Sequence, residues 1–182
     1  NLLLVFDALS ADADALHARV DRAWSGLRIA VDEPGPLIEI PVVYGGDGGP
    51  DLDDVAHHAG MSADEVIERH AGAEYTVFCM RFQPGFAYLG GLDPRLATPR
   101  RATPRTDVPA GSVAIGGAQT TIYPARSPGG WNLIGRSDAV LFAPDRDPPT
   151  LMAAGYRVRF VPVDALGGPD AGSADRRHGG AA

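Results

Sequence analysis

The chain has 182 residues, a hydrophobic content of 45% and a formal net charge of -7. This composition supports the core of one large domain or two small ones, and the negative charge argues against a general electrostatic hold on nucleic acid or an anionic membrane. All 16 basic residues are arginine, which excludes lysine-dependent mechanisms, and the single cysteine excludes an internal disulfide. The sequence shows neither a signal peptide nor an apolar run of membrane-spanning length, so we expect a cytoplasmic protein.

The first elements alternate between strand and helix patterns. Residues 2–6 are an apolar run typical of a buried strand, and Ser10 is the predicted N-cap of the helix that follows. A second strand is predicted over residues 37–44, where Pro41 indicates an edge or a bulge. The predicted helix carries its apolar residues at helical spacing, namely Leu16, Val20, Ala23, Trp24 and Leu27.

Two short helices are predicted next. The first covers residues 52–59 and ends at Gly60, because glycine adopts the left-handed conformation that stops a helix. The second begins with a capping box formed by Ser62 and Glu65 and ends near Gly72. The pair predicts a small helical hairpin.

Strand patterns dominate the rest of the chain. Residues 75–82 are apolar at both alternating sets of positions, which predicts a central strand, with Cys79 as a small buried residue rather than an exposed nucleophile. Further strands are predicted over 139–142 and 156–163, and many short strands with glycine and proline turns favour a barrel or a sandwich. Residues 167–182 lack apolar anchors and are predicted to be a disordered tail.

A proline-punctuated ribbon occupies the middle of the chain. Its prolines recur every five residues, and each one fixes the backbone and pushes the preceding residue toward an extended conformation. We therefore expect an ordered extended segment or edge strand. Side chains an even number of positions apart share a face, so Arg101 and Arg105 are predicted to point together while Arg100 points away. The prolines are Pro94, Pro99, Pro104 and Pro109.

Several familiar sites do not fit this sequence. The glycine-rich loop at residues 45–50 follows a strand and precedes a helix, but it lacks the ending of a P-loop, so a tight structural connection is favoured over nucleotide binding. His57 and His58 point about 100° apart on a helix and cannot share a metal as an i, i+4 pair can. With His70, they are expected at the surface or in helix packing.

A group of aromatic, amide and guanidinium side chains remains as a candidate site. These groups offer apolar walls, hydrogen bonds and forked donors suited to a carboxylate or carboxy-phosphate. The alternative is that the aromatics are core and that the arginines are solvated or hold a protein partner. The sequence leaves both interpretations open. The residues are Phe86, Tyr88, Arg101, Arg105, Gln119, Tyr123, Trp131 and Arg136.

Three long motifs carry a resemblance to a known family. They read F-Q-P-G-F-A-Y-L-G-G-L-D at 82–93, V-P-A-G-S-V-A-I-G-G-A-Q-T at 108–120 and S-P-G-G-W-N-L-I-G-R at 127–136. Together with V-Y-G-G and G-P-D-L around the glycine-rich loop, and with His58 before G-M-S, they resemble the KipI family. This family is also called allophanate hydrolase subunit 1, and it includes the B subunit of 5-oxoprolinase.

The resemblance implies a fold and a domain division. The family has a small α+β N-terminal domain followed by a cyclophilin-like β-barrel. We accordingly expect an α+β domain over residues 1–72, a cyclophilin-like β-barrel over 73–166 and the disordered tail over 167–182. Family members usually carry a further strand and helix before the equivalent of Leu2, so we expect the N-terminal domain to be incomplete here.

The resemblance also implies a function that depends on partners. It predicts the B subunit of an ATP-dependent 5-oxoprolinase, inactive alone, which opens the lactam of 5-oxoproline to glutamate together with two other proteins. These partners are the KipA-type C subunit, also called allophanate hydrolase subunit 2, and the A subunit. ATP is used by the complex, and the chain itself is expected to bind no cofactor and no metal. Two alternatives stay open: an inhibitor of sensor histidine kinase autophosphorylation, and a carboxyltransferase component of a urea carboxylase or allophanate pathway.

Roles for individual residues are hypotheses within this interpretation. Catalytic roles are assigned to Arg105, Gln119 and Tyr123, which would face a cleft shared with the KipA-type partner. We expect substrate contacts from Phe86, Tyr88, Arg101, Trp131, Arg136 and His58, with the last two near the edge of the cleft.

Overall fold

The structure is a computed structural model that describes residue 6, residues 12–26 and residues 34–167. The chain divides into two units, residues 1–33 and 34–182. The first unit contains helix α1, Ala13–Gly26. The Oδ1 atom of Asp12 accepts hydrogen bonds from the backbone N–H groups of Asp14 and Ala15, as an N-cap does. The predicted N-cap Ser10 and residues 2–5 of the predicted first strand lie outside the described residues.

Residues 34–167 contain two α-helices, two short 3-10 helices and nine strands. The α-helices are α2, Leu52–Ala59, and α3, Ala63–Gly72. The strands are β1 Leu37–Tyr44, β2 Tyr75–Met80, β3 Ala87–Gly90, β4 Arg105–Val108, β5 Ser112–Gly116, β6 Gln119–Ile122, β7 Ser127–Gly129, β8 Asn132–Arg136 and β9 Arg157–Pro162.

Seven of these strands form a closed barrel in the order β1-β8-β5-β6-β3-β2-β9. Strand β1 runs parallel to β9 and antiparallel to β8, so the first and last strands close the ring. Strands β4 and β7 form a separate two-stranded sheet. This architecture confirms the predicted fold class, a β-barrel combined with α+β elements.

The boundary between the units differs from the predicted domain division. Residues 34–182 cluster as one unit, so the predicted boundary between residues 72 and 73 falls inside it. The physical reason is that β1 pairs with two barrel strands and supplies the core residues Ile40 and Val42. Of the predicted tail, residues 168–182 lie outside the described part of the chain.

The two helices begin and end at the residues that the sequence indicates. Gly60 follows α2 with φ 66° and ψ 36°, the left-handed conformation that glycine adopts without strain. Ser62 and Glu65 form the reciprocal capping box at the start of α3. Apolar side chains of both helices, including Val55 and Val66, are fully buried in the main core.

Two hydrophobic clusters lie on opposite faces of the same strands. Along β5, Val113 and Ile115 belong to the main core and Ala114 to a second cluster; along β8, Ile134 and Leu133 divide in the same way. Alternation of side chains along a strand explains this division. The second cluster receives Val108 from β4, so it lies between the barrel and the β4–β7 sheet. Its buried members are Phe86, Val108, Ala114, Tyr123, Trp131 and Leu133.

Three predictions about the later strands need correction. Strand β2 pairs on both sides, as predicted for a central strand, but it ends at Met80, and the ring of Phe78 is 64% exposed. Cys79 is half-buried rather than buried, because the β2–β3 register shifts at this point. The predicted strand over 139–142 is reduced to a single bridge between Phe142 and Thr150.

Candidate functional site

The proline-punctuated ribbon brings two guanidinium groups to one buried carboxylate. Nη1 of Arg101 lies 2.7 Å from Oδ1 of Asp51, and Arg105 binds both carboxylate oxygens at 2.8 Å. The backbone N–H of Leu133 donates to Oδ2 at 2.7 Å. The prediction that Arg101 and Arg105 point together is confirmed, but their shared partner is a residue of this chain.

Backbone hydrogen bonds fix the ribbon beside the residues that precede and begin β8. The N–H of Arg101 donates to the carbonyl of Gly130 at 2.7 Å, and Arg105 pairs with Gly129 across the β4–β7 sheet. The side-chain amide of Asn132 also donates to the carbonyl of Pro99, at 2.9 Å. The positions of both guanidinium groups therefore follow from backbone pairing.

Asp51 is at the N-cap position of α2, but its side chain makes no capping hydrogen bond. It is 2% exposed, and burial raises the pKa of its carboxyl group. Hydrogen bonds from Arg105 and the Leu133 N–H, together with the charges of Arg105 and Arg101, outweigh burial and leave the pKa below its usual value. The group is consequently a carboxylate at neutral pH.

An aromatic wall lies beside these residues. Phe86 makes edge contacts with Tyr123 and Trp131, with ring centroids 5.3 and 6.3 Å apart, and Tyr88 meets Trp131 at 5.9 Å. Phe86, Tyr123 and Trp131 are buried and Tyr88 is half-buried. Phe86, Tyr123 and Trp131 are therefore core residues, in agreement with one of the two alternatives drawn from the sequence. Tyr88 retains access to solvent.

Arg100 has a different partner from Arg101 and Arg105, which both bind Asp51. Its guanidinium carbon lies 5.5 Å from the centroid of the Trp131 ring, in a cation–π arrangement. Arg101 and Arg105 keep side-chain exposures of 33% and 25%. Arg100 therefore lies against the aromatic wall, and all three arginines retain solvent access.

Tyr123 and Gln119 occupy different positions at this wall. Burial raises the pKa of Tyr123, so its hydroxyl is neutral at neutral pH. A Cβ atom at Gly129 would overlap the Tyr123 hydroxyl, which shows how closely the backbone packs there. Gln119 is half-buried and pairs with Gly116, whose backbone packs against the Trp131 ring. Because paired residues share a face of the sheet, the Gln119 side chain leaves the strand on the face that carries Trp131.

Arg136 and His58 lie apart from the residues above. Arg136 is exposed at the end of β8, and Trp131 lies just before the first residue of that strand, so roughly 16 Å at the usual rise separates them. It borders a separate groove of about 520 Å³, whose wall includes Val140 and Phe142. His58 is exposed on α2. The structure therefore does not bring these two residues to the aromatic wall.

A second buried polar cluster surrounds His70, which is fully buried. Thr120 Oγ1 donates to the carbonyl of Ala114 at 3.0 Å, so the Nε2–H of His70 donates to Thr120 at 2.9 Å and Nδ1 accepts from the Tyr44 hydroxyl at 2.7 Å. The ring stacks on Phe160 at 4.5 Å. Burial lowers the pKa of His70 to about 3, so the imidazole is neutral.

The sequence interpretation missed Asp51 as a site residue and did not foresee how deeply His70 is buried. Asp51 was visible only as part of the G-P-D-L motif, where an aspartate before a helix indicates an N-cap. The described residues contain no group of three or more His, Cys, Asp or Glu side chains that could hold a metal ion. Within the described part of the chain, no helix is long and apolar enough to span a membrane.

Sequence comparisons place these features among known proteins. Residues 1–152 match the family described as Carboxyltransferase domain, subdomain C and D. The chain is 55% identical over 149 residues to the 5-oxoprolinase B subunit of Escherichia coli O157:H7, covering 82% of this chain and 67% of that protein. It is 50% identical over 161 residues to the Haemophilus influenzae protein of the same name, covering 88% and 75%. Urea amidolyase of Saccharomyces cerevisiae is 33% identical over 123 residues, 62% of this chain and 6% of that protein.

Solved structures show the same fold. A conserved uncharacterized protein, PH0987 from Pyrococcus horikoshii, superposes with a TM-score of 0.69 at 47% identity, covering 88% of this chain and 73% of that one. TTHA0988 gives a TM-score of 0.68 at 40% identity, covering 84% of this chain and 30% of that one. The urea amidolyase of K. lactis shares the fold with a TM-score of 0.62 at 22% identity, covering 87% and 11%.

Proposed function

Because the chain belongs to the carboxyltransferase subdomain C and D family and is closely related to proteins named as the B subunit of 5-oxoprolinase, we propose that it has this role in an ATP-dependent 5-oxoprolinase. In this proposal it works in the cytoplasm with the KipA-type C subunit and with the A subunit. The complex opens the lactam of 5-oxoproline to glutamate. The chain alone has no activity and binds no cofactor, and ATP is used by the complex.

The observation that carries the proposal is the positive charge beside the aromatic wall. Arg101 and Arg105 supply two positive charges and Asp51 one negative charge, so the cluster has a net charge of one positive unit. Both guanidinium groups remain partly exposed. A small acid such as 5-oxoproline offers a carboxylate that paired guanidinium groups recognise and a ring that packs on aromatic side chains.

Each predicted site residue has a role in this proposal. Arg101 and Arg105 hold the carboxylate, and Tyr88 and Gln119 border the ring of the substrate. Phe86, Tyr123 and Trp131 form the rigid support beneath them, since all three are buried. Arg136 and His58 lie away from this wall, so we assign them to the surface that meets a protein partner.

The test uses the co-expressed complex of the three proteins. We expect ATP hydrolysis that depends on 5-oxoproline and not on allophanate or urea, and we expect Arg105→Ala to reduce kcat/KM on the order of 100-fold, because a charged hydrogen bond to the substrate is lost. Assembly is checked by gel filtration. Undiminished turnover by an assembled Arg105→Ala complex would remove Arg105 from the site, and turnover by the isolated chain would contradict the need for partners.

The likeness to urea amidolyase favours a second candidate, a carboxyltransferase component that acts with a biotin carboxylase. The same substrate panel separates the two candidates, because this role predicts activity that depends on urea and biotin. The kinase-inhibitor alternative stays a prediction. Direct binding of a sensor kinase in a pull-down, with no effect of 5-oxoproline, would support it.

A further inference from the structure

The Asp51 carboxylate has used all its hydrogen-bonding capacity within the chain. Its two oxygens accept four hydrogen bonds, one from Arg101, two from Arg105 and one from the Leu133 N–H. A carboxylate has about four lone-pair sites, so no acceptor site is left for a ligand. Asp51 is also 2% exposed. It cannot touch a substrate, and any effect on the reaction must pass through its partners.

The usual role of an aspartate at this position is not fulfilled here. An N-cap aspartate normally accepts hydrogen bonds from the first N–H groups of the helix and thereby stabilises it. The Asp51 side chain makes no such bond and turns instead to the ribbon and to β8. Its backbone N–H donates to the carbonyl of Leu133 at 2.9 Å, so Asp51 is held from both ends. The carboxylate is therefore a fixed anchor.

The two arginines have donors to spare and are only partly buried. Each guanidinium has five N–H donors, of which Arg101 gives one and Arg105 two to Asp51. Arg101 Nε is buried without a hydrogen-bond partner in the described part of the chain. Because the bidentate contact fixes the plane of the Arg105 guanidinium, the direction of its remaining donors is also fixed.

We propose that Asp51 is a positioning residue that holds the Arg101 and Arg105 guanidinium groups in the orientation that receives the substrate carboxylate. This inference rests on the proposed function and deepens it. Without the anchor, both arginines turn toward water and meet the substrate in many orientations. Loss of Asp51 would therefore weaken binding of the carboxylate-bearing substrate and leave the use of ATP unchanged.

The test compares Asp51→Asn with wild type in the reconstituted complex. Asparagine keeps the shape, but it removes the charge and presents an amide donor to the guanidinium donors. We expect KM for 5-oxoproline to rise on the order of 100-fold while KM for ATP stays within about twofold, because a displaced positioning group costs about that factor. A general structural defect would move both constants together.

A matched control comes from a second carboxylate that also binds two arginines. Asp93 contacts Arg95 at 2.6 Å and Arg69 at 3.4 Å, away from the aromatic wall, with a side-chain exposure of 18%. Asp93→Asn is expected to leave both KM values within about twofold of wild type. Equal effects of the two substitutions on KM for 5-oxoproline would overturn the proposal.

Two further measurements keep the proposal falsifiable. In the Arg105→Ala background, Asp51→Asn should raise KM for 5-oxoproline by less than a further factor of about three, because the effects of residues that act through one another are not additive. A rise in KM as large as that seen in wild type would contradict the proposal. If Asp51→Asn fails to fold, added guanidinium should restore part of the activity of Arg105→Ala by occupying the place opposite Asp51, and no restoration overturns it. A wild-type complex without 5-oxoproline-dependent ATP hydrolysis overturns the proposed function, whereas wild-type kinetics of Asp51→Asn overturn the positioning role alone.

Discussion

Asp51 and His70 are the centres of two polar clusters that are equally hidden from solvent and chemically opposite. Asp51 stays charged because two guanidinium groups and a backbone N–H outweigh its burial. His70 is neutral because burial dominates and its hydrogen-bond partners are hydroxyl groups. The Asp51 cluster keeps partly exposed cations with free donors, whereas the imidazole nitrogens of His70 are both satisfied inside the barrel. The first arrangement suits binding, and the second suits stability.

The largest expected effect is on stability, at the His70 cluster. His70→Ala removes the ring that stacks on Phe160 and leaves the Tyr44 hydroxyl without its partner. We expect the free energy of unfolding to fall by about 4 kcal/mol, from the cavity and the unpaired polar groups. Urea unfolding followed by circular dichroism measures it. His57→Ala, exposed on α2, is the control and should stay within about 0.5 kcal/mol; a similar loss in both variants would contradict the role of His70.

Acid should destabilise the two clusters in different pH ranges, because His70 and Asp51 have different pKa values. The pKa of His70 falls from 6.5 to about 3 on folding, so the unfolded chain binds the extra proton and stability is lost as pH falls below about 6.5. Asp51, whose pKa is lowered from 3.8, contributes stability that is lost only below about pH 4.

We therefore expect the unfolding free energy of wild type to drop between pH 7 and pH 4.5 by about 2.5 kcal/mol more than that of His70→Gln. Urea titrations of both proteins at the two pH values give the difference, in which contributions from other groups cancel. Equal losses in the two proteins would mean that His70 does not remain neutral in the fold.

The Asp51 cluster should lose less stability when one arginine is removed than the His70 cluster loses in His70→Ala. Arg105→Met leaves Asp51 with Arg101 and the Leu133 N–H, so we expect a loss of about 2 kcal/mol, below the usual cost of breaking a buried pair. Arg95→Met at the more exposed Asp93 is the control and should leave the free energy of unfolding unchanged, because exposed ion pairs add little to stability. If Arg105→Met were as destabilising as His70→Ala, the contrast between binding and stability would fail.

The smallest expected effect concerns Arg100. Its contact with the Trp131 ring is exposed, so Arg100→Ala should cost about 0.5 kcal/mol. A double-mutant cycle with Trp131→Leu isolates the pair. A coupling energy of zero would show that Arg100 is merely solvated.

Local chemistry in the sequence predicted much of the fold and part of the site. The capping box, the glycine stop of α2 and the face shared by Arg101 and Arg105 all depend on neighbours in the chain, and all are confirmed. The partner of the arginines could not be found in this way, because Asp51 is 50 and 54 residues away in the sequence. Only the closed barrel brings these segments together.

The same limit explains the remaining errors. His70 is a polar residue on an amphipathic helix, and helical periodicity does not reveal that α3 directs it into the barrel. Phe78 and Phe82 resemble core residues, yet each is 64% exposed. The pairing of β1 with β8 and β9 could not be predicted either, since strand pairing over such separations leaves no local signal.

Closure of the barrel by β1 and β9 has a consequence for biosynthesis. Leu37 pairs with Arg157, so during translation the ring cannot be completed until β9 has emerged from the ribosome. Contacts between such distant segments slow folding, and until then β1 presents an unpaired edge that other nascent chains can bind. A chaperone acting on this chain would therefore be needed most in the interval between the synthesis of the first and last strands.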